Sequence, residues 1–378
     1  MKFVFASDSF KGSLSSADTI RILTKAAREV FGDCRTVGVE VADGGEGTVS
    51  AVTKATRGRR VEAEVHDPLM RKIRSSYGVF GDNAIIEMAE ASGLTLLNEQ
   101  ERNPLITTTY GTGELILDAL ERGIRNITIA IGGSATNDGG TGCLSALGVK
   151  FLDSDGNVLE GNGGNLAKIS AIDISGLDKR IEKSNITVMC DVTNPLCGEK
   201  GATYVFGPQK GASAAMLETL EGGMQNYRKA VLELFGIDCN DIEGSGAAGG
   251  LGAAMSVFLG GRISSGIETV LDLIHFDDII SDADWIITGE GRTDHQSCYG
   301  KVIYGVGKHA LKYGIPVVAV CGSLGEGYEK LYEYGITSFI TTVDKPMTLD
   351  EAMSDAENLY YSASVRAFRF IKSVSRIS

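Results

Sequence analysis

Five short clusters of glycine, acidic and hydroxyl residues contain the side chains best suited to chemistry. They follow the apolar runs FVFA, VGVEVA, ITIAI, ITVMC and DWIIT, and they span residues 7–12, 43–48, 132–140, 191–195 and 289–294. Runs of this length and composition predict strands. In open α/β sheets ligands bind just outside the carboxyl ends of the strands, so we expect the five clusters to form one site.

The first two clusters place charged residues beside predicted secondary structure. Asp8, Ser9 and Lys11 precede a helix, where a lysine can meet an anionic ligand that the helix terminus also favours. An isolated lysine would be an ordinary solvated residue. Asp43 at the end of the predicted neighbouring strand favours a functional role for both clusters.

The third cluster connects a predicted strand to a predicted helix. Backbone N–H groups in such a loop can converge on an anion with the helix dipole behind them. A purely structural tight turn is the alternative interpretation. The candidate anion-binding residues are Gly132, Gly133, Ser134, Thr136 and Asn137.

The last two clusters supply further carboxylates. Asp191 follows a strand and precedes Thr193, Asn194 and Pro195, and its alternative role is an Asx turn or a cap. Residues 288–297 contain acids, an arginine, hydroxyls and an amide, and Lys301 begins the next helix. His295 is the histidine best placed for chemistry. This density of functional groups exceeds what a solvated turn requires.

Composition and motif spacing exclude several classes of protein. The formal net charge of −13 disfavours nucleic-acid binding. No apolar run approaches the ~20 residues of a membrane span, so we expect a cytoplasmic protein that does not bind membranes. Seven cysteines without C-x-x-C spacing indicate neither a disulfide framework nor a zinc ribbon. Residues 153–157 resemble a calcium loop but lack its glycine and closing glutamate, which favours a plain hairpin.

Residues 244–249 match the pattern G-x-G-x-x-G of dinucleotide-binding folds. The preceding sequence, FGIDCNDIE, is polar and does not predict the strand that such a site requires. A Walker P-loop motif is absent from the sequence. Any phosphate is therefore expected to bind in another way.

The order of predicted elements indicates an α/β protein with two domains. Ser15 and Asp18 have capping-box spacing before an amphipathic helix, and the opening βαβα pattern favours a parallel sheet. Near residue 60 the pattern changes to short antiparallel strands, and the α/β alternation resumes near residue 265. We therefore predict one α/β domain, residues 1–60 and 265–378, interrupted by a mixed α/β domain, residues 61–264.

Six segments in fixed order make the sequence resemble the bacterial glycerate kinase family over essentially its whole length. They are DSFKGSLSS, VADGGEGT, IGGSATNDGG, CDVTNPLCG, GAAGGLGAA and TGEGRTDHQS followed by GK. The resemblance implies a discontinuous flavodoxin-like or Rossmann-like parallel-sheet domain, an inserted second domain and an active cleft between them. It also implies magnesium-dependent transfer of the γ-phosphoryl group of ATP to D-glycerate, in most bacterial members to the 2-hydroxyl.

With this activity as the working hypothesis, the clusters receive roles. Lys11 and Arg292 would neutralise anions, and Asp43 or Asp191 would orient the substrate hydroxyl and accept its proton. Glu290 or Asp294 would hold Mg²⁺. The substrate-binding set is Asp8, Ser9, Lys11, Gly44, Gly45, Asp294 and Gln296. The nucleotide-binding set is Gly132, Gly133, Ser134, Thr136, Asn137 and Lys301.

Two other functions remain open at this point. An NAD-dependent hydroxyacid dehydrogenase would act on similar substrates and would use the glycine pattern at 244–249. A non-catalytic hinge protein that binds sugar acids would also have two domains, although such proteins are usually exported. The number of associated chains, including a homodimer, is also open.

Overall fold

The structure, a computed structural model, describes residues 1–45 and 47–375; Glu46 of the second cluster lies outside these ranges. The strands within them are β1 Lys2–Phe5, β2 Arg35–Gly38, β3 Arg59–His66, β4 Lys72–Phe80, β5 Asn83–Glu87, β6 Asn126–Ala130, β7 Lys150–Leu152, β8 Ala171–Asp173, β9 Asn185–Met189, β10 Arg262–Ser264, β11 Trp285–Thr288, β12 Arg292–Thr293, β13 Val317–Cys321, β14 Ser323–Leu324 and β15 Ile336–Thr341. The α-helices are α1 Ser16–Phe31, α2 Thr48–Ala55, α3 Ala89–Ser92, α4 Tyr110–Glu121, α5 Thr141–Ala146, α6 Ala202–Phe206, α7 Ala214–Phe235, α8 Ala247–Phe258, α9 Gly266–Leu273, α10 Phe276–Ile280, α11 Val302–Tyr313, α12 Leu349–Ser354 and α13 Ala356–Val374.

The chain divides into two compact units. The first unit consists of Met1–Asp43, Lys54–Thr56 and Gly266–Ser378, and the second consists of Gly44–Thr53 and Arg57–Ser265. Each unit has its own sheet and its own cluster of buried apolar side chains. None of the described helices is both long and apolar enough to span a bilayer.

The first unit contains a five-stranded sheet in the order β15-β13-β11-β1-β2, and every neighbouring pair is parallel. Numbered within the unit, this is the flavodoxin-like order 2-1-3-4-5. Strands β1 and β13 are buried along their whole length, as expected for a parallel sheet covered on both faces. The predicted α/β class is confirmed.

Helices α1 and α13 contribute to the core of this unit. The capping box predicted at the start of α1 is present, with reciprocal Ser15 and Asp18 hydrogen bonds. On α13, the Phe368 ring packs edge-on against Phe3 of β1, with ring centroids 5.2 Å apart. Each such buried aromatic side chain contributes roughly 1.5–3 kcal/mol of transfer free energy.

The second unit contains a six-stranded mixed sheet in the order β10-β9-β6-β5-β4-β3. Strands β5, β6, β9 and β10 are parallel, whereas β3, β4 and β5 form an antiparallel meander. This meander is the run of antiparallel strands predicted from residue 60 onward. The small antiparallel pair β7 and β8 completes the strands of this unit.

One strand prediction was wrong in position. The run VGVEVA, residues 37–42, predicted the second strand, but β2 spans Arg35–Gly38. Val39 and Val41 are buried although they lie outside the strand. The apolar character of this run therefore reflects burial rather than strand pairing, and Asp43 lies five residues beyond the end of β2.

Candidate active site

The first unit contains a cavity of about 590 Å³ next to the carboxyl ends of β1 and β11. In a sheet of this order the connections leave β1 and β11 in opposite directions, which opens a crevice where ligands bind. The volume falls within the range of small-molecule sites. The polar lining residues predicted from the sequence are Asp8, Ser9, Lys11, Asp43, Glu290, Arg292 and Lys301.

The loop after β1 is fixed at both ends. The Asp8 backbone N–H donates to the Gly289 carbonyl at 2.9 Å, which joins the ends of β1 and β11. Phe10 and Leu14 exchange backbone hydrogen bonds of 2.8 and 3.1 Å. These bonds leave Lys11 exposed at the tip of a tight turn, where its ammonium group can reach a ligand in the cavity.

Asp8 has a perturbed carboxyl group. Burial, followed by the negative charge of Asp43, raises its pKa to about 6 from an ordinary value of 3.8. The Ser9 N–H, 2.7 Å from Asp8 Oδ1, and the charges of Lys11 and Lys301 lower the pKa in opposition. A carboxylate with a pKa in this range can accept a proton near neutral pH and release it again.

Glu290 lies two residues beyond β11 and is only 4% exposed. Its Oε1 atom is buried without a hydrogen-bond partner, and its Oε2 atom lies 3.8 Å from Lys301 Nζ. Burial raises the pKa of this carboxyl group. Only glycine fits at the preceding position 289, because a Cβ there would lie 1.8 Å from the Val320 carbonyl oxygen. Gly289 therefore permits the backbone path that places Glu290.

An unpartnered carboxylate oxygen in a cavity that also contains lysines fits a Mg²⁺ ligand. Among the described residues, no three His, Cys, Asp or Glu side chains group into a complete metal site. Mg²⁺ does not require such a group, because it often binds one or two carboxylates together with waters and substrate phosphates. Glu290 therefore meets the chemical requirement.

Asp294 is engaged in local structure. Its Oδ1 accepts a 2.9 Å hydrogen bond from the Gln296 N–H and caps the short 3-10 helix His295–Cys298. Its Oδ2 lies 3.3 Å from Arg292 Nε. Asp294, His295 and Gln296 do not belong to the cavity lining, whereas Glu290 does.

In the second unit, the glycine-rich loop after β6 is exposed only at its start. Gly132 and Gly133 are exposed, whereas Ser134, Thr136 and Asn137 are buried. The Asn137 amide donates to Thr203 Oγ1 at 3.1 Å, while Thr136 Oγ1 and Asn137 Oδ1 have no hydrogen-bond partner. The backbone of the two glycines is therefore the part of the predicted cradle that a ligand can reach.

Two residues that sequence reasoning missed hold this loop in place. Asp138, fully buried, accepts 2.8 Å hydrogen bonds from the Thr109 N–H and hydroxyl. Lys210 is also buried, and its Nζ donates to the Thr136 carbonyl at 2.6 Å. Burial lowers the pKa of Lys210 to about 7. Asp138 stood within a glycine-rich motif, but nothing near Lys210 in the sequence indicated burial.

The segment of the G-x-G-x-x-G match, residues 244–249, packs closely against the loop after β6. Gly249 and Gly250 in α8 have positive φ values, and a Cβ at Gly249 would lie 2.1 Å from the Thr136 carbonyl oxygen. The Gly139 N–H donates to the Gly249 carbonyl at 2.8 Å. The glycines let α8 bend closely against the loop, and they are buried, which removes the basis for a dinucleotide site.

The remaining predicted residues also belong to the second unit. Asp191 is exposed two residues beyond β9, and Gly45 accepts a 2.7 Å hydrogen bond from Thr48 at the start of α2. Gly44, which lies beside Gly45, is half-buried. The convergence of all five clusters on one ligand stays a prediction.

A flavodoxin-like sheet whose strand ends carry paired acids and cations defines a small-molecule-binding α/β protein. The model of the glycerate kinase family matches residues 3–372. A glycerate 2-kinase of Escherichia coli K12 is 48% identical over 94% of each chain, and a glycerate kinase of Halalkalibacterium halodurans C-125 is 45% identical over 96% of each. A crystal structure assigned as glycerate kinase 2 of Salmonella typhimurium LT2 is 42% identical, with TM-score 0.89 over 100% of this chain and 99% of that one.

The chain therefore belongs to the glycerate kinase family, as the six sequence segments indicated. Membership makes it an enzyme of the kinase class.

Proposed function

We propose that this enzyme transfers the γ-phosphoryl group of ATP to the 2-hydroxyl of D-glycerate, giving 2-phosphoglycerate and ADP. The observation that carries the proposal is the first-unit cavity, where Lys11, Arg292 and Lys301 share one lining with Asp8, Asp43 and Glu290. Both substrates are anions, so their binding requires cations. The regiochemistry rests on similarity to the relative that is named as a 2-kinase.

The cations of the cavity would supply much of the catalysis. Phosphoryl transfer passes through a loose transition state, so positioning and charge neutralisation contribute most of the rate enhancement. Lys11 and Arg292 are exposed and can contact the transferring phosphoryl group or the carboxylate of D-glycerate. Lys301, beside Glu290, would assist at the nucleotide phosphates. Gly132 and Gly133 keep their predicted role of offering backbone N–H donors to nucleotide phosphates.

Two acids of the cavity would orient the substrate hydroxyl and exchange its proton. Asp43 would orient the hydroxyl. The charge of Asp43 also helps to raise the pKa of Asp8 to about 6, a value that suits proton exchange near neutral pH. Asp191 remains the alternative proton acceptor predicted from the sequence. Ser9, Gly44, Gly45 and Gln296 keep their predicted roles in D-glycerate binding.

Glu290 would hold Mg²⁺ through its unpartnered oxygen, with Asp294 as the alternative ligand. When bound, the metal neutralises phosphate charge in the transition state. Glu290 would also orient the ammonium group of Lys301, whose Nζ atom lies 3.8 Å from Glu290 Oε2.

Replacing Lys11 tests the proposal directly. We expect Lys11→Ala to lower kcat by roughly 100-fold or more, because a preorganised cation at the phosphoryl group is lost. The melting temperature should change little, because Lys11 is exposed. The measurement is coupled detection of ADP with D-glycerate as acceptor, and phosphorus NMR of the product identifies the phosphorylated hydroxyl.

The matched control is Lys25→Ala, which removes an exposed lysine of the same unit from α1. Its turnover should equal that of the wild type. Normal turnover by Lys11→Ala would remove this residue from the site, and a 3-phosphoglycerate product would contradict the proposed regiochemistry.

The two other functions have lost support. The glycine pattern that favoured an NAD-dependent dehydrogenase is buried against the loop after β6. A non-catalytic sugar-acid-binding protein would bind D-glycerate without consuming ATP, which calorimetry combined with the ADP assay would detect. A cytoplasmic location and a homodimer stay predictions.

A further inference from the structure

One wall of the first-unit cavity is apolar and has no role in the chemistry described above. Leu349, Ala352, Met353 and Ala356 line the cavity at the spacing i, i+3, i+4 and i+7, which places them on one face of α12 and the start of α13. Val343 and Met347 extend this surface. These six residues are called the apolar wall below.

The apolar wall is not covered by the rest of its unit. Leu349 is 74% exposed and Met353 is 37% exposed, although both line a cavity. D-glycerate is a small polar acid, so it has no surface to bury against leucine and methionine side chains. A nucleotide has both a polyanionic part and a flat, largely apolar ring system, and it therefore matches a cavity with one charged and one apolar side.

The apolar wall adjoins the loop that carries Lys11. The Met353 Cε atom would lie 3.0 Å from a Cβ built on Gly12, so α12 packs directly against this turn. The Phe10 ring also packs edge-on against Tyr360 of α13, with centroids 5.1 Å apart. A ligand whose ring lies on the apolar wall can therefore extend its phosphates to Lys11 without leaving the cavity.

We propose that the apolar wall binds the purine ring of the nucleotide, while its phosphates extend toward Lys11, Arg292 and Lys301. This inference rests on the proposed use of ATP. It assigns the base to the first unit, whereas the glycine-rich loop of the second unit keeps a predicted role at the phosphates alone. Residues 343–356 then determine the affinity for the base and contribute little to the chemical step.

The test compares ADP with inorganic pyrophosphate, which carries the phosphates without the base. In the full-length enzyme with Mg²⁺, Ala352→Phe fills the apolar wall without changing its charge. We expect calorimetry to show ADP binding weakened by at least about tenfold and pyrophosphate binding unchanged within about twofold. In steady state, the KM for ATP should rise while kcat at saturating ATP changes little.

Two further variants make the test specific. Ser354→Phe adds the same ring to an exposed position of α12 outside the cavity lining, and it should leave ADP binding unchanged. Leu349→Gln alters the most exposed residue of the apolar wall and should weaken ADP binding selectively even if Ala352→Phe fails to fold.

Unchanged ADP affinity in both Ala352→Phe and Leu349→Gln, or equal losses for ADP and pyrophosphate, would overturn the inference. Failure of the proposed function has a different signature, because the wild-type enzyme would then consume no ATP with D-glycerate. Selective loss of ADP binding would support a base-binding wall in that case as well.

Discussion

Asp8 and Asp43 place two carboxyl groups in one cavity, and this proximity determines how the site responds to pH. Burial and the charge of Asp43 hold the pKa of Asp8 at about 6. A site that must bind polyanions would gain nothing from two permanent negative charges. A carboxyl group that exchanges its proton near neutral pH can instead take a proton from a hydroxyl and return it to water.

We predict that Asp8→Asn flattens the pH dependence of stability in mildly acidic solution. Between pH 3.8 and about 6 the folded enzyme holds the Asp8 proton and the unfolded chain releases it. The unfolding free energy of the wild type therefore falls as pH rises through this window, and asparagine removes that contribution. Urea unfolding at a series of pH values measures both slopes, with Asp33→Asn, an exposed acid of the same unit, as the control.

The same substitution should also lower activity, which the pH profile of kcat/KM measures. If ionised Asp8 accepts a proton, the wild-type kcat/KM falls below about pH 6, and Asp8→Asn loses most activity at every pH. Equal slopes of unfolding free energy in Asp8→Asn and the wild type would show that the pKa of Asp8 is not raised.

At the scale of elements, α8 and the loop after β6 depend on one another. The positive φ values at Ala248, Gly249 and Gly250 interrupt the helix where the loop passes, and the Gly139 N–H binds the Gly249 carbonyl. Lys210 also holds the loop, because its Nζ donates a hydrogen bond to the Thr136 carbonyl. The glycine-rich residues 244–249, which resembled a dinucleotide site, thus position the loop after β6, which is predicted to bind phosphates.

We predict that Gly249→Ala destabilises the enzyme by more than about 2 kcal/mol, because φ is +68° and the added Cβ would lie 2.1 Å from the Thr136 oxygen. Gly222→Ala is the control, because Gly222 is exposed within α7 and has no atom near its added Cβ. It should raise stability by about 0.5–1 kcal/mol. Thermal unfolding of the two variants provides the comparison, and similar melting temperatures would disprove the packing role.

At the scale of the whole molecule, the second unit has a self-contained core. Its buried apolar cluster is drawn from residues 61–259, whereas β1 of the first unit pairs with β11 and packs against Phe368 of α13, both of which follow residue 265. We predict that a chain truncated after Ser265 keeps a protease-resistant second unit and loses residues 1–43 rapidly. Limited proteolysis with mass spectrometry tests this, and resistance of the first segment would contradict it.

The sequence predicted the elements with local signals and missed features created by tertiary packing. The capping box at Ser15 and the alternation of strands and helices indicated the α/β class directly, because both depend on short-range chemistry. By contrast, the burial of Lys210 is set by residues distant in sequence. The apolar positions of α12 are separated by acidic residues and resemble those of an ordinary surface helix. Their exposure to a cavity becomes evident only once β1 and β11 are neighbours.

The pairing of β1 with β11 joins residues that are far apart in the sequence, such as Phe3 and Trp285. During synthesis on the ribosome, the first apolar strand therefore emerges long before its partner exists, and the nascent chain must complete the entire inserted unit first. The KFVF segment has to stay soluble throughout this interval, either by packing against α1 or by binding a chaperone. Lys11, a predicted site residue in the loop after β1, is consequently synthesised long before the strand that completes its surroundings.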